Sequence, residues 1–501
     1  MKYFGVAGVY LHDAGCSLID DSGNILFATQ AERWTKVKHD NYIPQKLWLN
    51  YYDGRDTELV CNDNWDTRLE FRKGFLDQFY RDHPNYFTVN CPLHKRHPAY
   101  YECRFPGHHL THCIAALTTR PESFAREDCV LVAIDGIGEY QSAAIYDHNL
   151  ELKKDVTFPK SIGYLWAWLT HALGMRPNED EYVTMGLASY GEPTLGEQTI
   201  DMFACIPEWD IDDEQWAGVE WDEKYFAKDL FLDKIVKFLI NNTSCHEDAA
   251  ASLQYMTNHY LREFMQEARK YGSKLCYSGG VAQNIVANTE FADLFDDVWI
   301  DVNPGDGGAS LGAAAWAYMQ DTGNDRINWT HPFHGYNIDR AIDPEEVVDH
   351  LLEHRYCGIA NGPAEFSYRA YGNRSLIADV RFDVKDTVNT IKRRQKYRPF
   401  APAILEEHAD EYFEGHMNRW MQFTAKAKHN YSSVTHVDGT GRVQLVPKDC
   451  KSVFRQVIEC YYERTGVPML LNTSLNIRGK PMVNDEQDAK EFSELYGVKV
   501  F

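Results

Sequence analysis

Residues 3–29 and 130–155 follow one plan, and that repetition limits the fold more than any other feature of the chain. In the first stretch Tyr3–Val9 is apolar and β-prone, His12–Gly15 is a polar turn and Cys16–Ile19 a second strand. Asp21–Asn24 then reads as a hairpin turn and Ile25–Thr29 as a third strand. The second stretch, VLVAIDGIGEYQSAAIYDHNLELKKD, repeats the order: buried strand, Asp/Gly turn, short apolar strand, Asp-His-Asn turn, alternating strand. Two meanders that each open on a Gly- or Asp-bearing turn point to an internal duplication. Two unrelated hairpins are the competing reading, since three-stranded meanders are common.

A duplicated actin/hexokinase-like ATPase fold has this plan and holds phosphates between two such hairpins, so the expected class is α/β. At 501 residues the chain is long enough for two or three domains with buried cores. Its composition turns loop-like around 320–345, which sets a boundary between 1–345 and a smaller domain, 346–501. The net charge of −23 argues against broad non-specific nucleic-acid affinity but leaves room for a local basic groove. No apolar run approaches the roughly eighteen residues of a membrane span, and the N-terminus lacks a signal-peptide pattern. The twelve cysteines have irregular spacing and no CxxC, as in reduced thiols. The expected location is the cytoplasm, without membrane attachment.

Pro106–Thr119, PGHHLTHCIAALTT, reads as a helix from Leu110 onward, because Leu110, Ile114 and Leu117 share one stripe. His108 and His112 are four residues apart, so a helix turns both imidazoles to one face, where they can meet one ion. A histidine-rich helix start without metal is the alternative. Residues 50–107 read as an insertion rich in Tyr, Trp, Asp and Arg. Its Cys91, His94, His97 and Cys103 offer zinc donors at a spacing that matches no standard finger, with solvated surface as the competing reading. Its basic–aromatic residues Lys95, Arg96, Tyr100, Tyr101, Arg104 and Phe105 suit an acceptor pocket.

Ser161–Leu173, Asp229–Ile240 and Ala249–Tyr271 read as helices, and Leu275–Tyr277 as a short strand entering SGGVAQNIVANTE. Glycines in such a turn let backbone N–H groups approach a phosphate. A second Gly-rich turn, NPGDGGASLGAAAWAY, leads into a small-residue helix with Asp306 at its mouth. Beyond residue 346 positive charge gathers in Arg369, Arg374, Lys392, Arg393, Arg394 and Arg398, among Gly, Asn and Ser. Guanidinium forks in that setting suit phosphate oxygens. In LLNTS, Asn472, Thr473 and Ser474 fall at a strand end, where small polar donors can meet a ligand.

Taken in order, several motifs resemble the O-carbamoyltransferases of the nodulation-factor, cephamycin and tobramycin type. They are HD at His12–Asp13, QAERWTKVKHD, HHLTH, DGIGE, DEYVTMGLASYG, GGVAQNIVAN, GDGGASLGAA, YRAYGNRSLIAD, YRPFAP, THVDGTGRVQ and TGVPMLLNTSLN. The large domain of that family is similar to tRNA threonylcarbamoyl transferase and the small one to threonylcarbamoyl-AMP synthase. The resemblance implies that the small domain makes carbamoyl-adenylate from ATP and carbamoyl phosphate. The large domain then passes the carbamoyl group to an acceptor hydroxyl.

By the same resemblance a divalent metal, iron in similar enzymes, is held by His108, His112, Asp135 and Asp306. Two imidazoles and two carboxylates suit Fe(II), Mn(II) or Zn(II) and do not choose among them. Lys38, Gly136, Gly138, Gly279, Gly280 and Asn284 are the implied nucleotide contacts of the large domain, and Arg33 accompanies Lys38 near the acyl phosphate. Arg369, Arg374, Lys392, Arg398, Asn472 and Ser474 are the implied ATP and carbamoyl phosphate contacts of the small domain. His12, beside Asp13, is the expected catalytic base, with a structural turn histidine as the alternative. Val183, Gln395 and Lys480 depart from the family pattern, which has Lys, Glu and Glu there.

The expected acceptor is a sugar or natural-product hydroxyl. The alternative is a hydroxymethylated pyrimidine of the 5-hydroxymethylcytosine type in DNA, flipped out of its duplex and stacked on the Lys95–Phe105 segment. A remote third reading is an inactive metal- and nucleotide-binding regulator. Oligomeric state is not legible in the sequence.

Overall fold

The computed structural model describes residues 1–8, 12–52, 56–62, 104–207 and 231–501. They form two units: Met1–Leu26 with Asn41–Trp329, and Phe27–Asp40 with Thr330–Phe501.

In the first unit Lys2–Ala7 (β1) is buried from its second residue onward and lies between two partners. Gly15–Asp20 (β2) pairs with it antiparallel, Lys2 opposite Asp20 and Ala7 opposite Gly15. Ile25–Gln30 (β3) then carries the chain from the first unit into the second. On the other side of β1, Thr57–Cys61 (β4) pairs parallel, with Lys2 opposite Thr57. Thr57–Cys61 is therefore a strand of the main sheet and not part of an insertion. Its five residues are too few and too mixed to announce a strand, and only the pairing with β1 makes it one.

The second sheet repeats the plan. Cys129–Ile134 (β5), Gln141–Tyr146 (β6) and Leu152–Thr157 (β7) form an antiparallel meander. Lys274–Ser278 (β8) pairs parallel with β5, and Asp297–Ile300 (β9) parallel with β8. A central strand with a hairpin partner on one side and a parallel strand on the other occurs in both sheets. This shared pairing favours duplication over two unrelated hairpins, because hairpins alone would not repeat the parallel strand.

Two of the helices in the first unit pack against each other and against its sheets. His108–Thr119 is the histidine helix, and Asp306–Thr322 is rich in Gly and Ala. They pack so closely that a Cβ on Gly312 would lie 2.1 Å from the Thr111 carbonyl oxygen. Ser310 Oγ, on the same small-residue helix, lies 2.9 Å from Ser17 Oγ of β2. Small side chains thus let one helix lie against both the sheet and the histidine helix.

The second unit is mixed α/β as well. Phe333–Ile338 (β10) pairs with Gly362–Glu365 (β12), and Tyr356–Ala360 (β11) opens a larger sheet. That sheet continues through Arg374–Ala378 (β13), Met469–Ser474, Ala401–Leu405 (β14) and Gln444–Val446. Successive residues alternate between two apolar cores: Leu376, Ala378, Ile404 and Leu471 on one face, Ile377, Ala403, Leu405 and Leu470 on the other. Period-two alternation with both faces apolar is the mark of a sheet covered on both sides. Among the described residues no helix is long and apolar enough to cross a membrane.

Candidate functional site

The histidine helix starts at His108 behind Gly107, which has no side chain to cap it. Glu139 from the turn after β5 fills that role, its carboxylate accepting the His108 backbone N–H at 3.0 and 3.2 Å. One turn on, His112 lies under His108, with their Nε2 atoms 3.2 Å apart and both rings buried. Asp135 Oδ2 is 3.2 Å from His108 Nε2 and 3.1 Å from His112 Nε2. Asp306 Oδ1 is 3.5 and 3.4 Å from the same two nitrogens. All four ligand atoms lie within 4.8 Å of one another.

Two neutral imidazoles and two carboxylates offer four lone pairs to one point. Metal–nitrogen bonds of about 2.0–2.1 Å imply ligand–ligand edges of about 3.3–3.4 Å in a tetrahedral shell. The observed 3.1–3.5 Å separations fit that spacing. Burial alone would raise the Asp135 carboxyl, but His108 and His112 outweigh it and hold it well below the usual carboxylate range. Burial likewise opposes the charged form of His112, yet Asp135 and Asp306 raise its pKa.

Local backbone chemistry sets these positions. Gly136 N–H donates to Asp135 Oδ1 at 2.7 Å, and Ser161 Oγ donates to the Gly136 carbonyl at 2.6 Å. Gly279 has φ 94°, and a Cβ there would lie 2.3 Å from the Ile134 carbonyl oxygen. A Cβ on Gly280 would lie 2.8 Å from Asp135 Oδ1. The Gly-Gly turn is thus required by the close approach of the Asp135 turn. On the far side of His112, Ser278 Oγ lies 3.5 Å from Nδ1.

His12 Nδ1 is 2.9 Å from Asp13 Oδ2, and 37% of the His12 side chain is exposed. Asp13 itself has φ 57°, an uncommon conformation for a residue with a Cβ. Burial works to lower the His12 pKa, but the Asp13 hydrogen bond and the charges of Asp306, Asp13 and Asp135 push it up to about 9. His12 therefore feels the same carboxylates that face His108 and His112.

In the second unit, Lys392 is 4% exposed, and its Nζ donates to the Asn476 carbonyl at 3.0 Å, Asn476 Oδ1 at 2.9 Å and Ser474 Oγ at 3.3 Å. Burial, with Arg394, Arg398 and Lys38 nearby, holds its pKa well below the usual lysine value. Arg369 donates to the Trp420 carbonyl at 2.9 Å and lies 4.8 Å from the Tyr368 ring centroid, while its Nε has no hydrogen-bond partner. Arg442 has its pKa pushed down to about 9 by burial and by Arg369, with Arg398 adding to the repulsion. Arg398 thus adds to the positive charge around both Lys392 and Arg442, and Arg369 to that around Arg442.

A family model, Carbamoyltransferase N-terminus, matches residues 85–315, and another, Carbamoyltransferase C-terminus, matches residues 348–501. Nodulation protein NolO of Bradyrhizobium diazoefficiens is 31% identical over 431 residues, 76% of this chain and 75% of that protein. The chain belongs to the carbamoyltransferase family. Nodulation protein NolNO of Sinorhizobium fredii is 28% identical, over 96% of this chain and 76% of its own. Nodulation protein U of Rhizobium fredii is 31% identical, over 95% of this chain and 90% of its own. Among solved structures, component A of the Acidaminococcus fermentans (R)-2-hydroxyglutaryl-CoA dehydratase gives a TM-score of 0.34 at 13% identity, over 64% of this chain and 98% of its own. Family membership makes the protein a transferase enzyme and sets aside the inactive-regulator reading.

Within the carbamoyltransferase, several expected contacts have other work. Arg374 is fully buried, and its guanidinium donates to the carbonyls of Asn484, Asn361, Gly362, Asn373 and Tyr336. It is a clamp for backbone, not a free phosphate ligand. Asn472 donates to the Ala370 carbonyl and Gln444 Oε1, and Ser474 Oγ donates to Asn476 Oδ1. Asn284 caps the helix Ile285–Phe291 and exchanges amide hydrogen bonds with Gln254. Gly138 packs against His109, whose two ring nitrogens have no hydrogen-bond partner. Lys38 belongs to the second unit, not the large domain, and Glu32 holds its Nζ at 2.9 and 3.1 Å. Arg33, also in that unit, donates to the Ser367 carbonyl at 3.0 Å. Cys91, His94, His97, Cys103, Lys95, Arg96, Tyr100 and Tyr101 lie outside the described residues. Arg104 is engaged by Glu58 and Asp321. Arg442 was not singled out by sequence reasoning, although its motif, DGTGRVQ, carries the signal.

Proposed function

We propose that this carbamoyltransferase forms carbamoyl-adenylate at the basic cluster of its second unit from ATP, carbamoyl phosphate and one water: water releases phosphate from carbamoyl phosphate, and an oxygen of the resulting carbamate attacks the α-phosphorus of ATP and displaces pyrophosphate. The carbamoyl group then moves to an acceptor hydroxyl in the first unit, giving an O-carbamate and AMP. The observation that carries the reading is the convergence of His108, His112, Asp135 and Asp306 on one point, with His12 under the influence of the same carboxylates.

Lys392, Arg369, Arg398 and Arg442 supply the positive field for the two anionic substrates. In the first unit His108, His112, Asp135 and Asp306 would hold a divalent ion, Fe(II) by family resemblance, with Mn(II) and Zn(II) suited to the same donors. When bound, that ion supplies Lewis-acid neutralisation of the adenylate phosphate. His12, in its neutral form, takes the proton from the attacking hydroxyl; a cation held by Asp135 and Asp306 would favour that form by offsetting two of the charges that raise its pKa. Its Nδ1–H donates to Asp13, which leaves Nε2 as the base and stabilises the imidazolium that forms. The mixed anhydride is already activated, so the remaining work is alignment and exclusion of water.

The acceptor in this reading is a sugar or natural-product hydroxyl, in keeping with the net charge of −23, which repels polyanions. The alternative acceptor, a hydroxymethylated base in DNA, turns on the Lys95–Phe105 segment, of which all but Arg104 and Phe105 lies outside the described residues. The test is pyrophosphate release by the full-length protein given iron, ATP and carbamoyl phosphate. Release that needs both substrates supports the proposal, and absence of release with both present rejects it.

A further inference from the structure

The structure raises a question about the proton on His108 that the four ligands alone do not answer. Asn62 follows β4 and is 1% exposed, with its side-chain nitrogen 3.3 Å from His108 Nδ1. The Asn62 Oδ1 atom is buried and has no hydrogen-bond partner. With the amide in that orientation an N–H donor faces Nδ1, so Nδ1 accepts and the ring hydrogen sits on Nε2. That hydrogen would then occupy the space between His108 Nε2 and His112 Nε2, 3.2 Å away, where a metal would have to be.

The two ends of an asparagine amide have nearly the same shape, and turning the group over exchanges oxygen for nitrogen at no steric cost. Turned over, the orphaned oxygen receives a hydrogen bond from His108 Nδ1–H, and Nε2 is left with a bare lone pair. His112 has a matching neighbour, since Ser278 Oγ lies 3.5 Å from its Nδ1 and can accept from it. Metal-binding histidines are commonly fixed through the second ring nitrogen in this way.

We infer that Asn62 is a positioning residue whose side-chain oxygen holds His108 in the Nδ1–H tautomer and so directs Nε2 to the metal. This rests on the metal site proposed above. It assigns a task to a residue that borders the segment 63–103 and carries none of the recognised motifs.

The experiment uses the full-length chain with Zn(II) as probe. Affinity is measured by chelator competition for the native protein, for Asn62→Leu, which keeps the volume and removes the acceptor, and for Asn62→Asp, which keeps an acceptor oxygen. Asn62→Leu is expected to bind Zn(II) about 10- to 100-fold more weakly, and Asn62→Asp at least as tightly as the native chain. Histidine-selective 15N spectra of the Zn(II)-loaded native protein are expected to show His108 protonated at Nδ1 and metal-bound through Nε2, a readout that holds even if a variant fails to fold. Native-like Zn(II) affinity in Asn62→Leu, or a His108 not protonated at Nδ1 in the Zn(II)-loaded native chain, overturns the assignment of Asn62. A native chain that binds no Zn(II) at all overturns the metal site itself.

Discussion

Glu139 and His108 are joined head to tail: the Glu139 carboxylate accepts the His108 backbone N–H at 3.0 Å, at the first turn of the histidine helix. One contact thereby ties the turn that carries Asp135 to the helix that carries His108 and His112. The carboxylate also sits at the positive end of that helix. Replacing Glu139 by Ala should cost about 0.5–2 kcal/mol, as for a lost helix cap, and weaken metal binding. Glu139→Gln, which keeps an acceptor, should lose less of both. Urea unfolding and chelator competition on the same samples separate the two effects.

Removal of a metal ligand should show first in metal content and only then in turnover. His112→Ala and Asp306→Asn each take away one of four converging donors. The purified variants should hold less than a tenth of the native metal, an order-of-magnitude expectation for loss of one ligand. A chelator should lower the melting temperature of the native protein and leave that of His112→Ala nearly unchanged.

The His12–Asp13 pair makes a prediction about pH. The folded His12 pKa of about 9 lies above the value of about 6.5 for an unfolded histidine. A raised folded pKa contributes stability that is fully present below the unfolded value and is lost as pH rises through the folded one. In metal-free protein the native chain should therefore exceed His12→Asn in denaturant midpoint at pH 6. That difference should shrink between about pH 6.5 and 9 and vanish above it. Equal midpoints at pH 6 would contradict the pair.

Arg374 and Arg398 should separate structure from chemistry in the second unit. Arg374→Met leaves five carbonyls short of a donor and should destabilise the unit by at least about 3 kcal/mol. Arg398→Ala should leave the unfolding midpoint near native and slow pyrophosphate release about 100-fold, as for loss of a donor to developing charge. Denaturation followed beside pyrophosphate release distinguishes the two outcomes.

The sequence was most legible where local chemistry decides. The strands β1, β2, β5 and β6 are apolar runs bounded by turn residues, and His108 and His112 are paired by helical periodicity alone. Legibility failed where the deciding partner is far away in the chain. Thr57–Cys61 is a strand because β1 lies beside it, and Lys38 joins the second unit because Phe27–Asp40 packs there. A basic cluster in the sequence cannot say which guanidinium will be taken up by carbonyls, as that of Arg374 is. Asn62 has no local signal either, since its partner His108 is 46 positions on.

The central claim is that the second unit makes the adenylate and His12 in the first unit spends it. A single-turnover reaction with carbamoyl phosphate labelled in its carbonyl carbon tests this most directly, comparing the native chain with His12→Asn on a hydroxyl acceptor that the native chain accepts. The account predicts label in the acceptor for the native protein, and label retained as carbamoyl-adenylate for His12→Asn. Equal labelling of the acceptor by both proteins would contradict it.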